Sequence, residues 1–272
     1  MLRRGQLSSV FATDRNITEL TVKESLNYPV ELAIGLIQIL LQLYLLRSLW
    51  VTVYNDHPTA HIVGRGTLVS YLTLVTLQSW VFSSRSINSI HRRVRDGTVV
   101  FDLIRPIAFP RQVMARTAGS SLVALLVLPI CIPLVWVAGG LGLPASITAL
   151  VLYVVSFFLA FCFNLLITTL LSLSAFWLVE TYGVVVIYTF VSRLVSGAFI
   201  PLWFLPVGFR TVAGALPFQA TAFIPASVFV GHLTGSAAFR ALLVQTGWDL
   251  VLIVLLASAW SLTRRRILIQ GG

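Results

Sequence analysis

The chain has 272 residues, 57% of them hydrophobic and only 10% charged, and its mean hydropathy is +0.92. A soluble domain carries about 25% charged residues, and this much apolar side chain exceeds what one soluble core can bury, so the composition excludes a soluble enzyme or binding module and points to an integral membrane protein. The formal charge of +10 is then read by its position along the chain, because basic residues in membrane proteins mark cytoplasmic loops rather than nucleic-acid contacts.

The N-terminal stretch "MLRRGQLSSVFATDRN" has neither the apolar core nor the cleavage site of a signal peptide. Apolar runs of membrane-spanning length predict six helices, over about residues 29–54, 66–82, 118–137, 147–175, 182–200 and 245–262. The third carries Pro129 and Pro133 inside it. Residues 201–244 are also apolar, but Pro201, Pro206, Pro217 and Pro225 break the run. Two short re-entrant or surface helices fit it better than a span. With both termini on the cytoplasmic side, the inner segments hold fourteen basic residues and the outer segments three, namely Arg65, Arg210 and Arg240. That asymmetry sets the expected orientation. The predicted organisation is a cytoplasmic segment over 1–28, a six-helix membrane domain over 29–262 and a basic tail over 263–272.

One substantial inner loop lies between the second and third spans, and it contains "SINSIHRRVRDGTVVFDLIRP" at 86–106. Ile87, Ile90 and Val94 recur at helical spacing and form one apolar stripe. Arg92, Arg93 and Arg95 fall in the last turn, where positive charge suits the helix dipole, and Gly97 follows as a C-terminal cap. The pattern predicts a short amphipathic helix over 86–96 at the inner membrane face. Two roles fit it: a basic helix that merely fixes topology, or a surface that a partner grips.

Polar groups inside spans are costly and are candidates for function. Glu31, Gln38 and Gln42 share one face of the first span and could line a path between two copies, or tie neighbouring helices together. Asn164 in the fourth span reads as helix–helix glue. Arg193 in the fifth needs a partner, and Asp249 in the sixth is the acid at matching depth, so an Arg193–Asp249 pair is expected. The outer-loop sequence "DHPTAH" puts His57 and His61 four residues apart, but Pro58 disturbs a helix there and no further ligand supports a metal site. Cys131 and Cys162 lie in apolar runs and act as small hydrophobes.

Three passages resemble the membrane permease subunits of ABC transporters, of the type-2, exporter-like class: "VRDGTVVFDLIRPI", "SGAFIPLWFLPVGFRTVAGALPF" and the chain end "RRRILIQGG". The order and topological positions of the three match over nearly the whole chain. The resemblance implies an all-α membrane protein of six transmembrane helices, with an N-terminal amphipathic helix over about 13–28. It makes the loop helix a cytoplasmic coupling helix centred on Ile90, His91, Arg92, Arg93, Val94, Arg95, Asp96 and Gly97. It makes the broken segment with Pro201, Trp203, Pro206, Pro217 and Phe218 an outer re-entrant element. It further implies a second permease, identical or homologous, and cytoplasmic ATP-binding cassette subunits, in a bacterial-type cytoplasmic membrane. The chain contains no G-x-x-x-x-G-K-[ST] sequence, so ATP and magnesium belong on the partner ATPase and no cofactor or metal is expected here. Membrane lipids are the other expected partner, and nucleic acid is not. An ion-gradient-driven secondary transporter is the alternative, but the chain lacks matching halves and clustered membrane acids.

Overall fold

Long runs of Leu, Val, Ile and Phe fold as helices here because a helix satisfies each backbone N–H and C=O within its own segment. The computed structural model describes residues 2–56, 63–83, 85–178 and 182–270, which are helical, without strands. In chain order the α-helices are α1 (Leu2–Leu26), α2 (Pro29–Asp56), α3 (Arg65–Val81), α4 (Arg85–Arg95), α5 (Val100–Leu103), α6 (Phe109–Gly139), α7 (Ile147–Leu173), α8 (Tyr182–Val195), α9 (Val207–Ala215), α10 (Phe223–Phe229) and α11 (Gly235–Gln270). Local chemistry sets several boundaries. Pro29 opens α2, where its missing N–H costs nothing. Ser146 caps α7 by accepting a hydrogen bond from the Ala149 N–H at 3.0 Å. Gly140, in the left-handed conformation, ends α6.

Four helices are long and apolar enough to cross a membrane by length and composition: those covering Pro29–Asn55, Phe109–Ile130, Ile147–Phe176 and Gly235–Arg266. The two other expected spans are shorter. α3 has 17 residues and is almost wholly enclosed by other helices. Protein rather than lipid surrounds it, so it tolerates Ser70, Thr73, Thr76 and Gln78 among its buried residues. α8 has 14 residues and stops well before Ile200, the expected end. By contrast α6 begins earlier than the third span predicted and runs on through Pro129 and Pro133. α11 likewise exceeds 245–262, and Arg264, Arg265 and Arg266 of the expected basic tail are helical. The Arg266 guanidinium lies 4.8 Å from the centre of the Trp177 ring.

Outward surfaces of α2, α7, α8 and α11 carry exposed Ile34, Ile37, Leu41, Phe158, Phe190, Leu250 and Val254. Apolar area on this scale is stable only against lipid or another apolar surface. Inside, α2, α3, α6 and α7 pack around Ile39, Leu43, Leu77, Trp80, Val81 and Ala160.

The early end of α8 has a specific cause. Gly197 follows with φ +82, and its carbonyl accepts a hydrogen bond from the buried Tyr71 hydroxyl of α3 at 3.0 Å. The Phe223 N–H then bonds the Ser196 carbonyl at 3.1 Å, tying the turn to α10. A side chain at Gly197 would be strained by its φ and would place Cβ 2.8 Å from the Tyr71 hydroxyl. Gly197→Ala is therefore expected to destabilise the protein by about 2 kcal/mol, lowering the midpoint of thermal unfolding in detergent. Gly208→Ala, inside α9 and with nothing within 4 Å of an added Cβ, is the control that does not lower it.

Candidate functional site

α4 forms as its residue pattern requires. Ile87 and Ile90 are buried and Val94 is partly buried. The stripe does not face lipid, as a free amphipathic helix would. Ile90 and Val94 pack with Val99, Phe109 and Val113 of the following segment and with Phe163, Leu166 and Leu173 of α7. The helix ends at Arg95, and Gly97 has φ +72, with the Val99 N–H returning to the Arg93 carbonyl at 3.1 Å. The left-handed cap expected at Gly97 is present. His91 joins α4 to α7: its Nε2 donates to the Leu171 carbonyl at 3.1 Å. Burial holds the His91 pKa below its ordinary value of 6.5, partly offset by that carbonyl.

The three arginines of α4 divide by direction. Arg93 turns inward and meets Asp102 at 3.0 Å. Arg92 is exposed, and Arg95 is exposed with only a loose 3.7 Å approach to Asp96. Asp102, on the short helix α5, was not marked as a site by its sequence context. Its side chain is 3% exposed and also receives Arg116 of α6 at 2.8 Å, with Arg105 at 3.9 Å. Gln112 braces the same turn by donating to the carbonyls of Asp102 at 2.7 Å and Ile107 at 3.0 Å. A lone acid in "VVFDLIRP", flanked by arginines on both sides, was the available signal.

α1 closes this end of the bundle. Thr18 donates to the Ala115 carbonyl of α6 at 3.2 Å, and Asp14 pairs with Arg111. Contact is close because Gly119 lacks a side chain: a Cβ there would sit 2.8 Å from Thr21 Cβ and 2.9 Å from the Thr18 carbonyl. The predicted interfacial helix is thus packed on the start of α6.

Above α4 a cleft of about 220 Å³ runs between α3, α7 and α8. Ile87 of α4 lines it, and so do Thr221 and Ala222 of the segment before α10. Its walls carry hydroxyls of Ser79, Thr168, Thr189 and Ser192 beside apolar Phe82 and Val185. Asn164 also lines it, and its Nδ2 is buried without a hydrogen-bond partner. Arg193 lines the cleft too.

The expected Arg193–Asp249 pair is not formed. Both Asp249 carboxylate oxygens are buried without a hydrogen-bond partner, and Asp249 does not line the cleft. Arg193 needs no acid because α8 is short: it stands in the last turn, where the helix dipole favours positive charge, beside an open polar cleft. Glu31 and Gln38 lie on the exposed side of α2, with Gln42 half-buried, and none of the three lines the cleft.

At the far end from α4, Trp203 is buried and stacks its edge on Tyr71 with ring centres 4.7 Å apart. Phe204 meets Trp50 at 4.9 Å. Pro201 and Pro206 cap the 3-10 turn Leu202–Phe204 and α9 respectively, while Pro217 opens the 3-10 turn carrying Phe218. The proline-broken stretch thus holds two short α-helices, α9 and α10, each preceded by a 3-10 turn, while residues 235–244 belong to α11. Among the described residues no three potential metal ligands converge. His57 and His61 lie outside the described residues, as does the Asp56 side chain.

Residues 32–271 match the family described as ABC-2 family transporter protein. No curated protein matches the chain.

Two outcomes test this geometry. Asp102→Asn leaves Arg116 charged in a site where its side chain is 16% exposed, and the expected cost is about 3 kcal/mol. Asp14→Asn, which frees the half-exposed Arg111, costs less than about 1 kcal/mol. Thermal unfolding of both variants in one detergent checks the order. Because folding depresses the His91 pKa, its contribution to stability is present above the ordinary value and lost as pH falls below it. Unfolding measured between about pH 8 and pH 5 is expected to lose part of its acid dependence in His91→Gln.

Proposed function

The chain belongs to the ABC-2 family of transporter proteins, a multi-pass membrane transport component rather than a catalytic enzyme, and from that premise we propose that it is the permease subunit of an ATP-driven exporter of amphipathic or hydrophobic compounds. Membership implies association with ABC ATPase subunits. In this reading the chain spans the cytoplasmic membrane six times, α3 and α8 supplying the two short crossings, with both termini and α4 on the cytoplasmic side. A second permease, identical or homologous, completes the path, and Glu31 and Gln38 on the outward side of α2 face it.

The observation that carries this reading is the two-sidedness of α4. Its apolar stripe is seated on α6 and α7, while Arg92 and Arg95 point away from the bundle. A groove on the ATPase with acidic residues would grip that outer face. A rigid helix so seated moves α6 and α7 when pushed, and the cleft reached by Ile87 lies directly above it. ATP binding and hydrolysis on the partner then alter the cleft through α4. The mixed lining of hydroxyls, aromatic rings and one arginine suits an amphipathic substrate. The segment with Trp203 and Phe204 closes the opposite end.

Arg92→Glu combined with Arg95→Glu tests the docking face without disturbing the Asp102 contacts. We expect the double variant to fold as the parent does, to lose most of the ATPase subunit on co-purification, and to lose transport-coupled ATP hydrolysis in vesicles. Undiminished complex and activity would overturn the assignment of α4 as the docking helix.

A further inference from the structure

A second cavity, of about 240 Å³, lies between α1, α4 and the start of α6. Its polar wall is formed by Arg93, Arg105 and Arg116, its apolar wall by Ile17 and Leu20 of α1, and Glu24 stands at the same cavity. The three arginines share one buried carboxylate, Asp102. Counting Glu24 as well, the cavity keeps an unmatched positive charge. A guanidinium has five N–H donors in a planar fork, and a single carboxylate cannot satisfy three such forks. Arg105, at 3.9 Å from Asp102 and about half exposed, retains most of its donors for another anion.

The cavity's location selects among anions. α1 packs on α6 at Ala115 and Gly119, within the first turns of the apolar segment Phe109–Ile130. That is the depth at which a span leaves the bilayer. Leu20 is 64% exposed and Leu26 and Tyr28 also face outward, which continues the apolar wall toward the acyl region. The volume is below the roughly 300 Å³ of a drug-sized pocket and suits a phosphate with a few attached atoms. Basic pockets at this depth bind anionic headgroups, and arginine matches phosphate through paired N–H donors.

We propose that this cavity is a phosphate-binding site which takes the headgroup of an anionic phospholipid, with Arg105 as its principal donor and Arg93 and Arg116 as flanking donors. Bound there, the headgroup joins α4, α6 and the turn at Arg105 through one anion and sets how firmly α4 is held. This goes beyond the transport reading and does not depend on ATPase docking.

The test uses the full chain purified in mixed micelles of equal phosphatidylglycerol and phosphatidylcholine. Lipid retained after extensive washing is quantified by mass spectrometry. Phosphatidylglycerol is expected to be enriched, and Arg105→Gln is expected to lower the enrichment about fivefold. Arg111→Gln removes a charge nearby but outside the cavity, and is expected to leave the enrichment unchanged. Leu20→Glu places a repelling carboxylate on the apolar wall without touching the Asp102 contacts, and serves if Arg105→Gln does not fold. A parallel arm adds inorganic phosphate in phosphatidylcholine micelles and reads the thermal midpoint. A rise in the parent that is lost in Arg105→Gln, without lipid enrichment, supports the anion site and assigns it to a soluble phosphate. Equal enrichment in parent and both cavity variants, or neither enrichment nor stabilisation in the parent, overturns the proposal.

Discussion

Asp102 is the constraint around which the α4 end of the molecule is arranged. A carboxylate removed from water is costly unless its charge is met, and three arginines from three positions along the chain meet it. Arg93 fixes the rotation of α4, Arg116 fixes the start of α6, and Gln112 holds the turn between them. With those contacts made, the apolar stripe of α4 can face only α6 and α7. The outward direction of Arg92 and Arg95 follows from that rotation.

The same economy of polar contacts runs through the bundle. α3 is enclosed and can carry Tyr71, whose hydroxyl sets the turn at Gly197 far along the chain. Gln245 of α11 links α7 and the segment before α10, through Ser156 at 2.8 Å and the Ala220 carbonyl at 2.8 Å. Elsewhere the long helices are held by apolar packing. Buried polar side chains sit on the inward faces of α3 and α7, with the cleft between these helices and α8, while apolar side chains of α7 and α8 point outward. A transport path needs that separation: polar enough inside to pass a substrate, apolar enough outside to remain in the bilayer.

Much of this was legible in the residues. The i, i+3, i+7 pattern of Ile87, Ile90 and Val94 and the glycine at 97 located α4 to within a residue at each end. The same helical geometry also carried a distinction that was not drawn. At 100° per residue Arg93 falls about 60° from Ile90, at the edge of the apolar stripe, while Arg92 falls about 160° from it, on the far side. Treating the three arginines as one basic cluster missed that Arg93 turns toward Asp102. The prolines after 200 likewise announced short helices. Contacts distant in sequence could not be read. Nothing in "VSGAF" says that a tyrosine 126 residues earlier will end α8 at Val195, and with α8 drawn too long Arg193 looked buried and in need of Asp249. Hydroxyls of Ser79, Thr168 and Ser192 are ordinary in apolar helices, so the cleft they line had no signature of its own.

The arrangement around Asp102 also bears on how the chain is inserted into a membrane. Its ion pairs close loops of nine and fourteen residues, whereas the contact of His91 with α7 spans 80. Short loops close at lower entropic cost, and synthesis delivers the N-terminal part first. The charged turn can therefore assemble once the opening turns of α6 have been made, while α7 is still to come. The most hydrophilic loop of the protein then becomes a pre-shaped ledge held by Asp102 during biogenesis, and the second half of the bundle is built onto it.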